Sequence, residues 1–548
     1  MKRYYSQFII LFFVTQLIAC GGGGGGGTPP PITPPPTGGT APVWTAGVYE
    51  SASSFINQCQ NPRSGTDLNG NAFPDQQGTT LEENHWLRSW SNNTYLWYSE
   101  LPDINPAQQS VPTDYFDLLK TSLTSPSGNA KDKFHFYWDT AAYQQLTQTG
   151  VSVGYGIDWE LTSATIPRAL YIRTIEPGSP ADAAELNLTR GVQILEIDGV
   201  VVETTNTQAG VDTLNAGMSP STDGESHVFT VLDVGSSQSR EVTISATEVT
   251  SDPVPMVRTI ATETGNVGYL LFNDHNFVSE DRLYESMTIL ADNNVNDLVL
   301  DLRYNGGGLL YIASQLSYMI AGSAATTGQT FDQLQFNDKH PEINPVTSRL
   351  ISPTPFYTSI SSFSDNYAEG TSLPQLNLDR VFILSTAGTC SASEAIINGL
   401  RGIDIEVILI GDTTCGKPYG FYPTDNCGTT YFTIQFDGVN QKGVGGYSDG
   451  FSPMNAAGTV GELVTGCSVE DDLSLPLGEE NDPLVAAALD YRITSQCPTP
   501  PTQAKSVVQP PSLFNSNDDS FNDDKNGPAL RLPLKINQKI YLDPYTTD

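Results

Sequence analysis

Hydrophobic positions along this 548-residue chain change pattern four times. The apolar run from Phe8 to Ala19 follows Lys2 and Arg3 and is too short to span a bilayer, which predicts a signal peptide over residues 1–19. Between Glu82 and about Thr147, Trp86, Leu87, Trp90, Tyr95, Leu96 and Trp97 recur near helical spacing, predicting a small, mainly helical domain (44–147) with an aromatic core. From 148 to 250 short β-rich runs such as "ALYIRTI", "GVQILEIDGV" and "HVFTVLDV" are separated by turn residues, so a small β domain is expected. From 251 to 498 the runs "VGYLLF", "DLVLDLR", "RVFIL" and "EVILIG" alternate with helical stretches, predicting an α/β core.

Two stretches lack the apolar content to form a core. Residues 20–43, rich in Gly and Pro, read as a tether. Residues 499–548 are expected to be a low-complexity tail, whose biased polar opening, as far as Pro528, reads as disordered. Composition narrows the partners: 61 acidic against 26 basic residues give a formal net charge of −35, which would repel a phosphate backbone and excludes nucleic acid.

The h-region ends in Leu17-Ile18-Ala19-Cys20, similar to a bacterial lipobox, which predicts cleavage before Cys20 and lipidation of its thiol. Gly21 next to it resembles outer-membrane sorting, so a lipid-anchored position in the cell envelope, facing periplasm or exterior, is expected. The six remaining cysteines form an even set, which in an oxidising compartment favours disulfides. Cys415 and Cys427 bracket a turn-rich stretch and are the expected pair among them. No pair of CxxC units points to a metal, and neither metal nor cofactor is expected.

Three features of the α/β region could carry chemistry. In "LVLDLRYNGGGLL" three glycines leave backbone N–H groups open to polarise a substrate oxygen, although the stretch alone could be a tight turn. In "TCSASEAIINGL", Ser391 precedes apolar positions at helical spacing, so it is either a helix cap or a nucleophile at a strand-to-helix turn. In "LIGDTTCGKPYG", Lys417 follows a buried strand; it is surface unless burial lowers its pKa and makes it a base.

Two resemblances give these features meaning. "IRTIEPGSPADAAELNLTRGVQILEIDGV" is similar to the heart of a PDZ domain, which implies that Gly154, Tyr155, Gly156 and Ile157 of "VGYGIDW" form a loop holding a peptide carboxylate. "LDLRYNGGG", "TCSASE" and "GKPYG" in that order resemble the C-terminal processing peptidases, Ser-Lys serine peptidases on a crotonase-like (ClpP/crotonase) fold with a PDZ domain. That resemblance implies Ser391 as nucleophile, Lys417 as general base, and the N–H groups of Gly308 and Ala392 as oxyanion hole. Ser393 would be structural and Glu394 would suit the helix's first turn. Polypeptides are the implied substrates, and the lipid would hold the enzyme at a membrane. The sequence departs from the family in two places: Ser391 and Lys417 are 26 residues apart, one more than usual, and Phe421 stands where many members have a glutamine that holds the lysine. Two other readings stay open: an inactive peptide- or ligand-binding relative, and a peptidase using His275 or His340 as base.

Overall fold

The computed structural model describes residues 41–498 except 68, 69, 126, 459 and 460, together with 529, 530, 532, 539 and 540. The expected signal peptide, Cys20 and all but the last three residues of the tether lie outside the described residues. Among the described residues no helix is long and apolar enough to cross a membrane.

Helix α1 (Thr80–Thr94) starts where the Thr79 hydroxyl accepts from the Glu82 N–H, the start that Thr-x-x-Glu favours. One turn apart on it, Trp86 and Trp90 stack with ring centroids 5.1 Å apart. Their cluster is closed by Tyr431, more than 300 residues away in sequence. The strand Phe136–Asp139 pairs antiparallel with Thr429–Phe432, and Cys59 is bonded to Cys427. The segment 44–147, expected as a mainly helical domain, is stitched into the later chain, because its aromatic face needs a partner that helical spacing cannot reveal. The expected Cys415–Cys427 pair is corrected by the same arrangement. Cys427 is drawn to the N-terminal segment, Cys415 bonds Cys390, and Cys467 bonds Cys497.

The β region holds strands β1 (Ile157–Leu161), β2 (Leu170–Ile175) and β3 (Gln193–Ile197), helix α2 (Gln208–Met218), and strands β4 (Ser226–Leu232) and β5 (Ser239–Ser245). They form an antiparallel sheet in the order β5-β4-β3-β2-β1, which leaves β1 on an edge. Trp159, Ile172 and Phe229 pack with Val211 and Leu214 of α2 in its core. Leu530 is buried in the same core with Leu532 against it, and the Leu530 N–H donates to the Ala164 carbonyl at 3.0 Å. These residues, just past the polar opening of the tail, are thus seated in the β region. After the polar run, "ALRLPLKI" places leucines at every second position, a pattern that buries one side of an extended chain.

The α/β core comprises β6 (Met256–Thr262), β7 (Gly265–Leu271), α3 (Ser279–Asp292), β8 (Asp297–Asp301), β9 (Gly308–Leu309) and α4 (Leu310–Thr326). It continues with β10 (Arg380–Ser385), α5 (Ala392–Gly402), β11 (Glu406–Gly411), β12 (Gly466–Ser468) and α6 (Pro483–Thr494), and β13 (Lys539–Ile540) lies beyond. The main sheet runs β6-β7-β8-β10-β11-β12, antiparallel in its first pair and parallel in the rest. Leu298 and Leu300 pack with α3, α4 and α5 on one face, while Val299, Ile408 and Ile410 pack with α6 on the other. Burial on both faces explains why these strands read as unbroken apolar runs. Neighbouring parallel strands β8, β10 and β11 all end on one side, where sheets of this kind collect their functional loops.

Candidate active site

The turn after β8 carries Asn305 and the glycines, the turn after β10 carries Ser391, and the loop after β11 carries Lys417. Three segments separated in sequence thereby meet at adjacent strand ends. Ser391 sits between β10 and α5 with φ 61° and ψ −111°, a strained backbone for a residue with a side chain and the kind of turn that presents a nucleophile. It is the N-cap residue of α5, reached by the Glu394 side chain through its N–H, and its hydroxyl is buried.

Glu394 joins the nucleophile to the lysine loop. One carboxylate oxygen accepts from the N–H of Ser391 at 2.9 Å and of Lys417 at 2.8 Å. The other accepts from the Thr414 hydroxyl at 2.5 Å and the Gly416 N–H at 2.9 Å. Burial pushes its pKa up against these bonds, yet all four neighbours are donors, which favours the ionised form. The Cys390–Cys415 disulfide ties the same two segments one residue before Ser391 and two before Lys417. The two sulfurs and Glu394 lie within 4.8 Å of one another, but the sulfurs are bonded to each other and the carboxylate is filled with donors. A metal would find no ligand free here.

Lys417 is buried, its Nζ 4.3 Å from the ring centre of Phe421 and 4.7 Å from that of Phe134. Desolvation holds its pKa well below the usual lysine value, with Asp132 and Glu394 pulling the other way. Phe134 and Asp132 come from the N-terminal segment and were not anticipated as site residues. Phe421, the departure from the family pattern, lies against the lysine as an apolar wall.

The glycine turn approaches the nucleophile closely. A Cβ on Gly307 (φ 102°) would stand 2.8 Å from the Ala392 nitrogen, and one on Gly308 (φ 139°) would stand 2.4 Å from the His275 carbonyl oxygen. Only glycine meets both constraints. The His275 N–H donates to the Gly307 carbonyl at 3.2 Å, and its carbonyl accepts from the Leu309 N–H at 2.8 Å. By the alternation of an extended strand, the Gly308 N–H between them faces the other way. Asn305 sets the turn: its side-chain oxygen accepts from the Gly307 N–H and the His275 Nδ1, each at 2.9 Å. Its backbone carbonyl accepts from the Cys390 N–H and the Ser393 hydroxyl, each at 3.0 Å. Ser393 thus has a structural place.

His275 is buried beside Gly308, its Nε2 without a partner among the described residues and its pKa pushed down to about 3 by desolvation. His340 lies elsewhere, its Nε2 3.1 Å from the carbonyl oxygen of Asn93 at the end of α1. Behind the turn, Arg303 is buried and pairs with Asp301 at 2.8 Å, Asp482 at 2.7 Å and Asp471 at 2.8 Å. Asp471 also binds Arg190 of the β region at 2.8 Å and the Tyr304 hydroxyl, so one ionic cluster fixes both the turn and the β region.

The four loop residues expected to hold a carboxylate flank β1. Gly154 is paired with Thr247, and Tyr155 is buried with its carbonyl accepting from the Ala181 N–H at 3.0 Å. Gly156 has φ 76° and packs on Ser179 so tightly that a Cβ would lie 2.2 Å from that side chain. Ile157 opens β1, pairing with Ile175.

Two protein-family models match segments of this chain. The model of "Peptidase family S41" matches residues 266–422, which include Gly308, Ser391, Ala392 and Lys417, and that of "Peptidase S41 N-terminal domain" matches 82–134. Residues 82–134 and 266–422 are thus peptidase family S41 domains. They mark an S41-type serine peptidase, and the N-terminal match ends on Phe134, beside Lys417. Among solved structures, a candidate S41 protease of Bacteroides fragilis NCTC 9343 is 23% identical with a TM-score of 0.53, covering 75% of this chain and 97% of its own. The photosystem II D1 C-terminal processing protease is 17% identical with a TM-score of 0.40, covering 69% of this chain and 92% of its own. No curated protein matches the sequence.

Proposed function

We propose that this S41 peptidase is an endopeptidase of the bacterial cell envelope that works through a Ser391–Lys417 dyad on a crotonase-like core. Neutral Lys417 takes the proton of the Ser391 hydroxyl as it attacks the substrate carbonyl. The N–H groups of Gly308 and Ala392 receive the developing oxyanion. The acyl-enzyme ester is then hydrolysed by water, with Lys417 again handling the proton. The observation that carries this reading is the Glu394 carboxylate, one oxygen of which accepts from both the Ser391 and the Lys417 N–H. A binding protein has no need of such a clamp on a buried hydroxyl and a buried lysine.

The β region, a PDZ-like module, presents its edge strand β1 to polypeptide substrates, which add to it as a further strand with a terminal carboxylate held near Gly154–Ile157. Lipid on Cys20 anchors the enzyme at the membrane surface. Mass spectrometry of the mature N-terminus checks the anchor, and an unmodified terminus elsewhere rejects it.

A second reading gives the base to His275. The Asn305 side-chain oxygen can only accept, so Nδ1 carries the proton and the partnerless Nε2 has a free lone pair. A pKa of about 3 makes it a weak base at neutral pH. The deciding experiment is cleavage of a denatured protein across pH by wild type, Ser391→Ala, Lys417→Ala, Lys417→Arg and His275→Ala. The dyad predicts that both lysine variants and Ser391→Ala lose nearly all activity, since a guanidinium stays protonated. A folded Lys417→Ala that cuts at near wild-type rate rejects it.

A further inference from the structure

Strand β13, Lys539–Ile540, pairs in parallel with β9, Gly308–Leu309, with Lys539 opposite Gly308 and Ile540 opposite Leu309. On its other side β9 is engaged by His275, which takes the Gly307 carbonyl and the Leu309 N–H. The chain's own C-terminal segment therefore takes the side of β9 toward which the Gly308 N–H points, the side a polypeptide substrate needs to reach the oxyanion hole. Nine residues earlier, Leu530 is buried in the core of the β region and bonded to Ala164, just beyond edge strand β1. The same tail thus reaches both the β region and the strand that carries the Gly308 N–H. In this arrangement Ser391 has no exposed surface and Lys417 is 1% exposed, so the site is closed to a second extended chain.

We propose that Leu530, seated in the β region, and Lys539–Ile540, laid as a strand on Gly308–Leu309, are a built-in occupant of the enzyme's own substrate path and compete with polypeptide substrates. The proposal rests on the reading of Gly308 as an oxyanion donor. No covalent step is required; the segment acts by occupying the ladder. Tethering places it at an effective concentration on the order of 1 mM. A strand that binds with a Kd on the order of 0.1 mM would then slow substrate entry about tenfold.

The test compares the full chain with one ending at Lys535, which keeps Leu530 and Leu532 and lacks Lys539–Ile540. Intact mass first establishes which termini are present; loss of the tail from wild type but not from Ser391→Ala would itself support the proposal. Amide hydrogen exchange at Gly308–Leu310, measured in the Ser391→Ala background, should be faster in the shortened chain. With Ser391 present, kcat/KM on a denatured protein should rise about tenfold, and a peptide of residues 536–548 added in trans should inhibit competitively. Unchanged exchange at Gly308–Leu310 overturns the proposal, as does faster exchange with no change in kcat/KM between active chains. Should neither chain cut anything, exchange still decides whether the strand is seated, and the failure falls on the Ser391 reading instead.

Discussion

Replacing Glu394 by glutamine is the most informative single change, because it keeps the shape of the clamp and removes its charge. The carboxylate serves four donors: the N–H groups of Ser391, Lys417 and Gly416 and the Thr414 hydroxyl. A glutamine oxygen in the place nearer Ser391 and Lys417 keeps both of those bonds. Its NH2 group then faces Thr414, whose hydroxyl can turn to accept, and the Gly416 N–H, which loses its acceptor. One stranded N–H costs about 1–3 kcal/mol, part of which is offset because a buried charge no longer has to be desolvated. Glu394→Ala strands three backbone N–H groups and should cost at least twice as much.

The pH profile separates positioning from mere stability. The Glu394 charge raises the pKa of Lys417, opposing the larger effect of burial. Neutralising it should therefore let the lysine pKa fall further, and the pH at which the rate reaches half its plateau should move to lower values. The assay is kcat and kcat/KM on a denatured protein across pH, with urea unfolding alongside. Glu394→Gln should keep kcat within about tenfold of wild type, a loss near 1.4 kcal/mol, with an acid-shifted profile. If the half-plateau pH stays put or rises in a folded Glu394→Gln, either Glu394 is not ionised beside Lys417 or Lys417 is not the base.

Reducing the Cys390–Cys415 bond, or replacing both residues by serine, should lower stability by about 3.5 kcal/mol for a loop of this size and slow cleavage, because the strap between nucleophile and lysine loop is gone; urea midpoints and kcat check it. Acid should unfold the chain as buried histidines are forced to charge: the pKa values of His135 and His275 are depressed to about 4 and about 3, so the stability they contribute is complete above pH 6.5 and lost as pH falls toward 3. A His275→Gln chain should show a flatter loss of melting temperature over that window. Phe421→Leu should lower kcat severalfold and shift the rate profile to lower pH, because the ring beside Nζ favours the ammonium; an unchanged profile would show that the ring only fills space.

What could be read in advance was what lies close together in sequence. The buried strands, the nucleophile turn and the glycine turn each announce themselves within about ten residues, since apolar runs, a strand-to-helix switch and repeated glycine are local signals. Partnerships across the chain were not legible. Tyr431 completing the Trp86–Trp90 cluster, Phe134 lying against Lys417 and Cys59 bonding Cys427 all depend on tertiary packing that no spacing rule carries. Glu394 was noticed for the helix dipole, whereas its four hydrogen bonds reach mostly to the next loop. The tail was judged by its polar opening, which hid the alternating leucines that follow.

The lysine's setting shows why the missing glutamine need not disable this site. Where many members have a glutamine, two rings, Phe421 and Phe134, here lie against the Lys417 Nζ. The backbone of the lysine is fixed by Glu394 and the preceding disulfide. Enclosure by rings has two opposed electrical effects. Ring faces attract an ammonium by about 0.5–2 kcal/mol, while loss of water disfavours it by more, and the net direction is a depressed pKa. A neutral amine is the form that can accept a proton from Ser391. Position is then set by the two ends of one carboxylate clamp, and basicity by burial, so the two requirements of a general base are met by different groups.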